Sequence, residues 1–278
     1  MVDFSPMLDR IADAAEKKAV VNPGDYFDED GLLRCGKCGG RKQTKPAIPG
    51  WTRIICCDCD CAYAAKEAER ENERHERFRE ELLTKCFTDP AMREWRFEAD
   101  NGNNPKLMEI CRKFVEDFEI FQKDGRGLLL FGTTGVGKSW AAGCIANALI
   151  DKEIACKFLD FTQIANILSE RGTDRTDYVQ TLAQYPLLIL DDLNAERDTS
   201  YMDEVVFSVI DARAKAKTPL IVTTNLTRQD FAAPKSTAKG RVISRLFDLC
   251  IPYEVTGADQ RKEGLRRNMD YYKRILGI

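Results

Sequence analysis

Residues 128–150, LLLFGTTGVGKSWAAGCIANALI, restrict this chain more than any other stretch. An apolar run stops at Gly132, a glycine-rich loop follows, and small and apolar residues then recur in a helical pattern. Strand, loop and helix in that order let successive backbone N–H groups turn inward on an anion at a helix N-terminus. Gly132, Thr133, Thr134, Gly135, Val136, Gly137, Lys138 and Ser139 fit G-x-x-x-x-G-K-[ST] in full and in that context. The loop, with Trp140 just behind it, is therefore expected to hold a nucleoside triphosphate. Lys138 reaches the β- and γ-phosphates as a point charge, and the Ser139 hydroxyl ligates Mg²⁺.

Around this loop the chain alternates between strand and helix patterns. Strands are expected at Leu128–Phe131, Ala155–Leu159, Leu187–Leu190, Leu220–Thr223 and Leu249–Tyr253. Helices are expected at Ser139–Ile150, Thr162–Arg171, Met202–Lys215 and Arg241–Phe247, with one more ahead of the loop from Lys106 to Phe121. Continuously apolar strands alternating with helices imply an α/β fold whose parallel sheet is covered on both faces.

Two of these strands end in chemistry. Leu187–Leu190 runs into Asp191 and Asp192, which places two carboxylates at the carboxyl edge of the sheet. Asp191 is expected to hold Mg²⁺ and Asp192 to polarise the attacking water, since phosphoryl hydrolysis is mostly positioning and charge stabilisation. Asp192 is one methylene shorter than the glutamate common at that place. The strand 219–225 ends at Asn225, placed to touch a γ-phosphate or orient water, or simply to open the next turn. Arg241 and Arg245 stand four apart, on one helical face. An arginine there could stabilise charge on a phosphate in a neighbouring subunit or be a plain surface residue, and Arg261 could approach a nucleotide in cis.

The N-terminal third differs in character. A helix is expected over Pro6–Ala19, followed by a turn-rich stretch. Six of the 11 cysteines crowd between Cys35 and Cys61, and no secretory signal precedes them. A reducing cytoplasm and a thiolate metal site are the expectation, rather than disulfides. Cys35 and Cys38 form one C-x-x-C knuckle. Cys56, Cys57, Cys59 and Cys61 over-supply the other half; Cys56/Cys59 and Cys59/Cys61 both satisfy a tetrahedral Zn²⁺, and an iron–sulfur cluster is a further use of four thiolates. Arg34, Lys37, Arg41, Lys42, Lys45 and Arg53 surround the segment with Trp51, a basic cluster suited to DNA, an acidic protein face or plain solubility. Residues 62–85 are helix-forming and almost wholly charged, as in a solvated helix carrying i,i+4 pairs. The remaining cysteines, Cys86, Cys111, Cys144, Cys156 and Cys250, read as packing residues. A formal net charge of −3 excludes a global basic field, and no stretch approaches the length of a membrane span. Three parts follow: 1–85 with the metal and the charged helix, 86–124 as linker and leading helix, and 125–278 as the nucleotide domain.

GTTGVGKS, LLILDD, TTN, GRVISR and GADQR occur in that order, and the set resembles the AAA+ ATPases of the DnaC/DnaI helicase-loader family, in particular phage-type loaders with a cysteine-rich N-terminus. FEADNGNNPKLMEICRKFVEDFE ahead of the loop is similar to that family's linker. The resemblance implies a P-loop fold without a separate helical lid domain and an ATPase whose sites are completed by assembly into a homo-oligomer. It makes Asn225 the first sensor, Arg245 with Arg241 beside it the trans-acting finger, and Arg261 the second sensor. It favours Cys59/Cys61, the C-x-C ahead of a charged helix, for the second half of the zinc site. Its implied partners are a ring-shaped, DnaB-type replicative helicase, bound through the N-terminal region, and single-stranded DNA. IstB-type transposition helpers share the ATPase motifs and stand as the alternative, with duplex DNA and a transposase as partners.

Overall fold

The computed structural model describes residues 20–47, 53–169, 174–193, 200–234, 236–260, 269 and 271–278. The chain divides into two compact units, Met1–Arg77 and Phe78–Ile278. The expected helix Pro6–Ala19, Trp51 and Arg261 lie outside the described residues.

In the first unit two short antiparallel pairs carry the cysteines. β1 (Tyr26–Phe27) pairs with β2 (Leu33–Arg34), and β3 (Gln43–Thr44) with β4 (Ile55–Cys56). The knuckle between β2 and β3 is closed by Gly39 N–H donating to Cys35 O at 2.8 Å and Cys35 N–H to Gly40 O at 2.9 Å. Gly36 has no alternative here, because a Cβ would stand 2.1 Å from the Gly24 carbonyl oxygen. Helix α1 then runs Asp60–Cys86. Its surface carries the expected ladder, with Arg77 to Glu73 at 3.0 Å, His75 to Glu71 at 3.2 Å and Lys85 to Glu81 at 2.6 Å, each at i,i+4. Such exposed pairs are screened by solvent and individually weak.

The second unit is a five-stranded parallel sheet with helices on both faces. Its strands are β5 (Gly127–Phe131), β6 (Cys156–Asp160), β7 (Leu187–Leu193), β8 (Leu220–Thr224) and β9 (Cys250–Glu254). They lie in the order β6-β7-β8-β5-β9, all parallel. Every residue of β5 and β8 is buried, as continuous apolar runs demand. Helices α2 (Pro105–Glu116) and α4 (Lys138–Ile150) belong with the core on one face, built from Leu107, Phe114, Ile145 and Leu149. α5 (Phe161–Ser169), α6 (Arg175–Gln184), α7 (Ser200–Ala216) and α9 (Thr237–Leu249) frame the other, around Leu129, Leu190, Val222 and Leu246. A short α8 (Arg228–Ala232) follows β8 and is closed by a capping box between Thr227 and Asp230.

Three sequence expectations change. The helix read from Lys106 to Phe121 is two, α2 and α3 (Phe118–Asp124), broken at Asp117. Both bury one aromatic face, with Phe114 stacked on Phe118 and Phe121 at 5.8 and 4.6 Å, so the apolar period passes through the break unmarked. α6 is too polar for periodicity to show; Asp174 caps it by accepting the Thr176 and Asp177 N–H groups. Arg213, wholly buried on α7, donates to the carbonyls of Leu182, Ala183 and Tyr185 at its far end. The basic cluster is also partly neutralised, since Arg34 pairs with Asp28 at 2.7 Å and Lys42 with Asp25 at 2.5 Å.

Candidate nucleotide site and thiolate centre

The loop between β5 and α4 turns on glycines in the left-handed region, Gly132 at φ 136°, Gly135 at 82° and Gly137 at 93°. Gly132 is also pinned by space, because a Cβ there would meet the Val255 carbonyl oxygen at 2.4 Å. Glycine alone meets both demands. Lys138 opens α4 and is buried, its ammonium donating to Gly132 O at 2.9 Å, Thr133 O at 2.8 Å and Asn225 Oδ1 at 2.8 Å. Ser139, next along the helix, hydrogen-bonds Asp191.

β8 lies between the loop strand and the acidic strand, and it joins them. Asn225, just past its end, accepts from Lys138 and donates through Nδ2 to Asp192 Oδ1 at 2.8 Å. Thr223 Oγ1 donates to Asp191 Oδ1 at 2.5 Å and accepts the Asp192 backbone N–H at 2.9 Å. Lys138, Ser139, Asp191, Asp192 and Asn225 thus meet at one sheet edge. Asp191 is mostly buried, and that burial pushes its carboxyl up, opposed by the bonds from Thr223 and Ser139.

On the other side of the loop, 256–260 folds back over it. Gln260 N–H donates to Gly135 O at 3.0 Å, and the Asn104 side chain donates to Thr256 O at 3.0 Å. A groove of about 140 Å³, open to solvent, adjoins Gly137 and Trp140. Leu107, Met108 and Val136 line it with the amides of Asn101, Asn104 and Gln260. Apolar side chains interleaved with three amides and the Asp100 carboxylate offer both packing surface and hydrogen-bonding groups for a nucleobase next to a phosphate loop. Motif reading missed Asn101, Asn104, Gln260 and Thr223. The first three had no spacing signal, while Thr223 stood in TTN beside the recognised Asn225.

Arg245 is exposed on α9 and holds Asp211 at 3.5 Å and Asp248 at 3.6 Å. Arg241 lies over the Phe207 ring at 5.1 Å.

In the first unit folding brings Cys35, Cys38, Cys59 and Cys61 together, with all four sulfurs within 4.8 Å of one another. Cys61 Sγ is 3.5 Å from Cys35 Sγ and 3.4 Å from Cys59 Sγ. Tetrahedral Zn²⁺ with bonds of about 2.3 Å needs sulfurs roughly 3.8 Å apart, so the set fits. The Cys38 and Lys37 backbone N–H groups pull the Cys35 thiol down to about 6. Hydrogen bonds to the sulfurs of Cys59, Cys35 and Cys38 hold the proton on Cys61 and push it up to about 12, and a dication at the cluster would favour its loss. Asp25 steadies the knuckle, accepting Gly36 N–H at 3.0 Å and the Lys42 ammonium. Cys56 and Cys57 are not in the cluster; the Cys57 thiol turns to Arg41 O. Cys86, Cys111, Cys144, Cys156 and Cys250 are all buried and their thiols raised, most by desolvation alone, which makes them inert packing groups.

Residues 65–263 match the model of the IstB-like ATP binding protein family. The chain belongs to that family. It is homologous to the DnaI and DnaC helicase loaders. Replicative helicase loader DnaI of Bacillus subtilis (strain 168) is 27% identical over 179 residues, 59% of this chain and 58% of that one. Replicative helicase loader DnaC of Escherichia coli (strain K12) is 21% identical over 146 residues, 50% of this chain and 57% of that one. The chain therefore spans less than two thirds of the length of either relative. A crystal structure of DnaI superposes with a TM-score of 0.54 at 23% identity, covering 64% of this chain and 98% of that chain, and shares the fold. As an IstB-like member, the protein has an ATP-binding AAA+ fold, and a four-cysteine cluster compatible with zinc accompanies it. No helix among the described residues is long and apolar enough to cross a membrane.

Proposed function

We propose that this protein is an ATP-dependent loader of a DnaB-type replicative helicase, which it delivers to single-stranded DNA. The observation that carries the reading is the homology to DnaI, placed over a sheet edge where Lys138, Ser139, Asp191, Asp192 and Asn225 converge. In this reading Gly132–Ser139 and Trp140 cradle ATP, and the groove at Asn101 and Asn104 takes its base. Ser139 and Asp191 would hold Mg²⁺, which would supply charge neutralisation at the triphosphate. Lys138 orients the γ-phosphate, Asp192 polarises water and Asn225 senses the phosphate while tethering both neighbours. Arg245 leaves its carboxylates to complete the site of an adjacent subunit, and Arg261 acts within its own. Cys35, Cys38, Cys59 and Cys61 hold a structural Zn²⁺ in a module, 1–85, that engages the helicase; 86–124 links it to the ATPase domain, 125–278.

Native mass spectrometry of the protein with the helicase, ATP and single-stranded DNA tests the partner claim. A complex that forms with ATP and transfers the helicase to DNA is expected; repeated failure to form one removes the loader. The second reading, an IstB-type transposition helper, is favoured by the matched family itself. It predicts duplex binding that outlasts single-strand binding across a salt series.

A further inference from the structure

The polar groups of the site form one hydrogen-bonded circuit, and its only member without a recognised role is Thr223. From Lys138 the circuit runs to Asn225, to the Asp192 carboxylate, through the Asp192 N–H to Thr223 Oγ1, on to Asp191 and back to Ser139. Thr223 sits where the β7–β8 ladder slips. Leu190 faces Val222, but Leu193 faces Thr224, so β7 spends one extra residue there. That bulge puts Asp192 in the left-handed region, at φ 57°, where aspartate needs a reason to stay. The bulge takes the Asp192 N–H out of the regular ladder, and the Thr223 hydroxyl accepts it. The same hydroxyl spends its one proton on Asp191. Thr224 Oγ1 donates to Leu193 O at 2.8 Å and closes the slipped register on the far side.

We propose that Thr223 is a positioning residue: its buried hydroxyl clamps the β7 bulge and thereby aims Asp191 at Mg²⁺ and Asp192 at the reacting water. Thr223 is 1% exposed, and its hydroxyl is already engaged by Asp191 and the Asp192 N–H. In a regular strand two adjacent carboxylates would point to opposite faces of the sheet; with the backbone at Asp192 held out of strand geometry, Asp191 reaches Thr223 and Asp192 reaches Asn225, two residues further along the same strand edge. The inference rests on the nucleotide reading above, and deepens it.

Thr223→Val removes the hydroxyl at constant shape, and Thr223→Ser restores it. With no metal or nucleotide present, the Asp192 amide should exchange faster with solvent in the valine variant and return to the native rate with serine. Calorimetry should then show Mg²⁺-dependent ATP affinity weakened about tenfold in Thr223→Val, the scale for losing an outer partner of a metal ligand. Affinity measured in EDTA should hold within about twofold. If valine does not fold, Thr223→Ala replaces it and the same comparisons apply. Unchanged amide exchange and Mg²⁺ dependence in a folded variant overturns the clamp, as does a serine variant no better than valine, which would assign the effect to the methyl group. Absence of ATP uptake by the unaltered protein would instead overturn the nucleotide reading.

Discussion

Replacing Lys138 with alanine measures what the phosphate loop contributes. The ammonium is 7% exposed and lies 2.8–2.9 Å from Gly132 O, Thr133 O and Asn225 Oδ1. These acceptors are neutral, so turning toward a triphosphate exchanges them for charged oxygens. A hydrogen bond to a charged group contributes about 1.5–3 kcal/mol, so one bond to each of the β- and γ-phosphates amounts to roughly 3–6 kcal/mol gross. Giving up Asn225 and one loop carbonyl returns part of it, leaving about 2–4 kcal/mol, or roughly 30- to 700-fold in Kd at 1.4 kcal/mol per tenfold. Isothermal titration of Lys138→Ala with ATP, ADP and AMP reads this directly. ATP should weaken by that factor and ADP, which offers the β-phosphate alone, by less, while AMP, lacking both, should change by less than about threefold. Circular dichroism of the variant checks that the fold persists. Full ATP affinity in a folded variant, or an equal loss for AMP and ATP, refutes the placement of the triphosphate.

Three further outcomes are expected. Cys59→Ser should cost the bound zinc and unfold the first unit, because metal-binding energy is folding energy in so small a module, while the melting of the ATPase domain stays put; zinc release assays with calorimetric scans check this, and a single merged transition would show the units to be interdependent. Arg245→Ala should lower turnover of assembled protein by a factor on the order of 10²–10³ while ATP affinity stays near native, and an unchanged steady-state rate would remove the finger. Because burial raises the Asp191 carboxyl, protons compete with Mg²⁺ at a higher pH than at an ordinary aspartate. Mg²⁺-dependent affinity should therefore fall on acidification before Mg²⁺-free affinity does, and coincident acid limbs in paired titrations would take Asp191 out of the metal site.

What sequence determined here is local. The strand-to-helix turn at Gly132–Ser139 is readable because its glycines, its lysine and its flanking apolar runs are neighbours in the chain, and short-range sterics decide them. The five strands and the solvated charged helix were legible through their patterns of apolar and polar residues, although the outermost strand β9 leaves Ile251 and Pro252 exposed. Where period and structure part company, as at Asp117, the cause is two helices sharing one aromatic face.

Tertiary structure decided the rest. No local rule says that β8 inserts between β5 and β7, yet that insertion alone puts Thr223 and Asn225 between Lys138 and the two carboxylates. No spacing rule chooses Cys61 over Cys56; the antiparallel pairing of β3 with β4 holds Cys56 in a strand and leaves Cys59 and Cys61 to reach Cys35. The bulge at Asp192 and the return of Gln260 over the loop are likewise invisible in a one-dimensional pattern. Each depends on a hydrogen bond between groups far apart in the chain, whose partners are selected only once the sheet has formed.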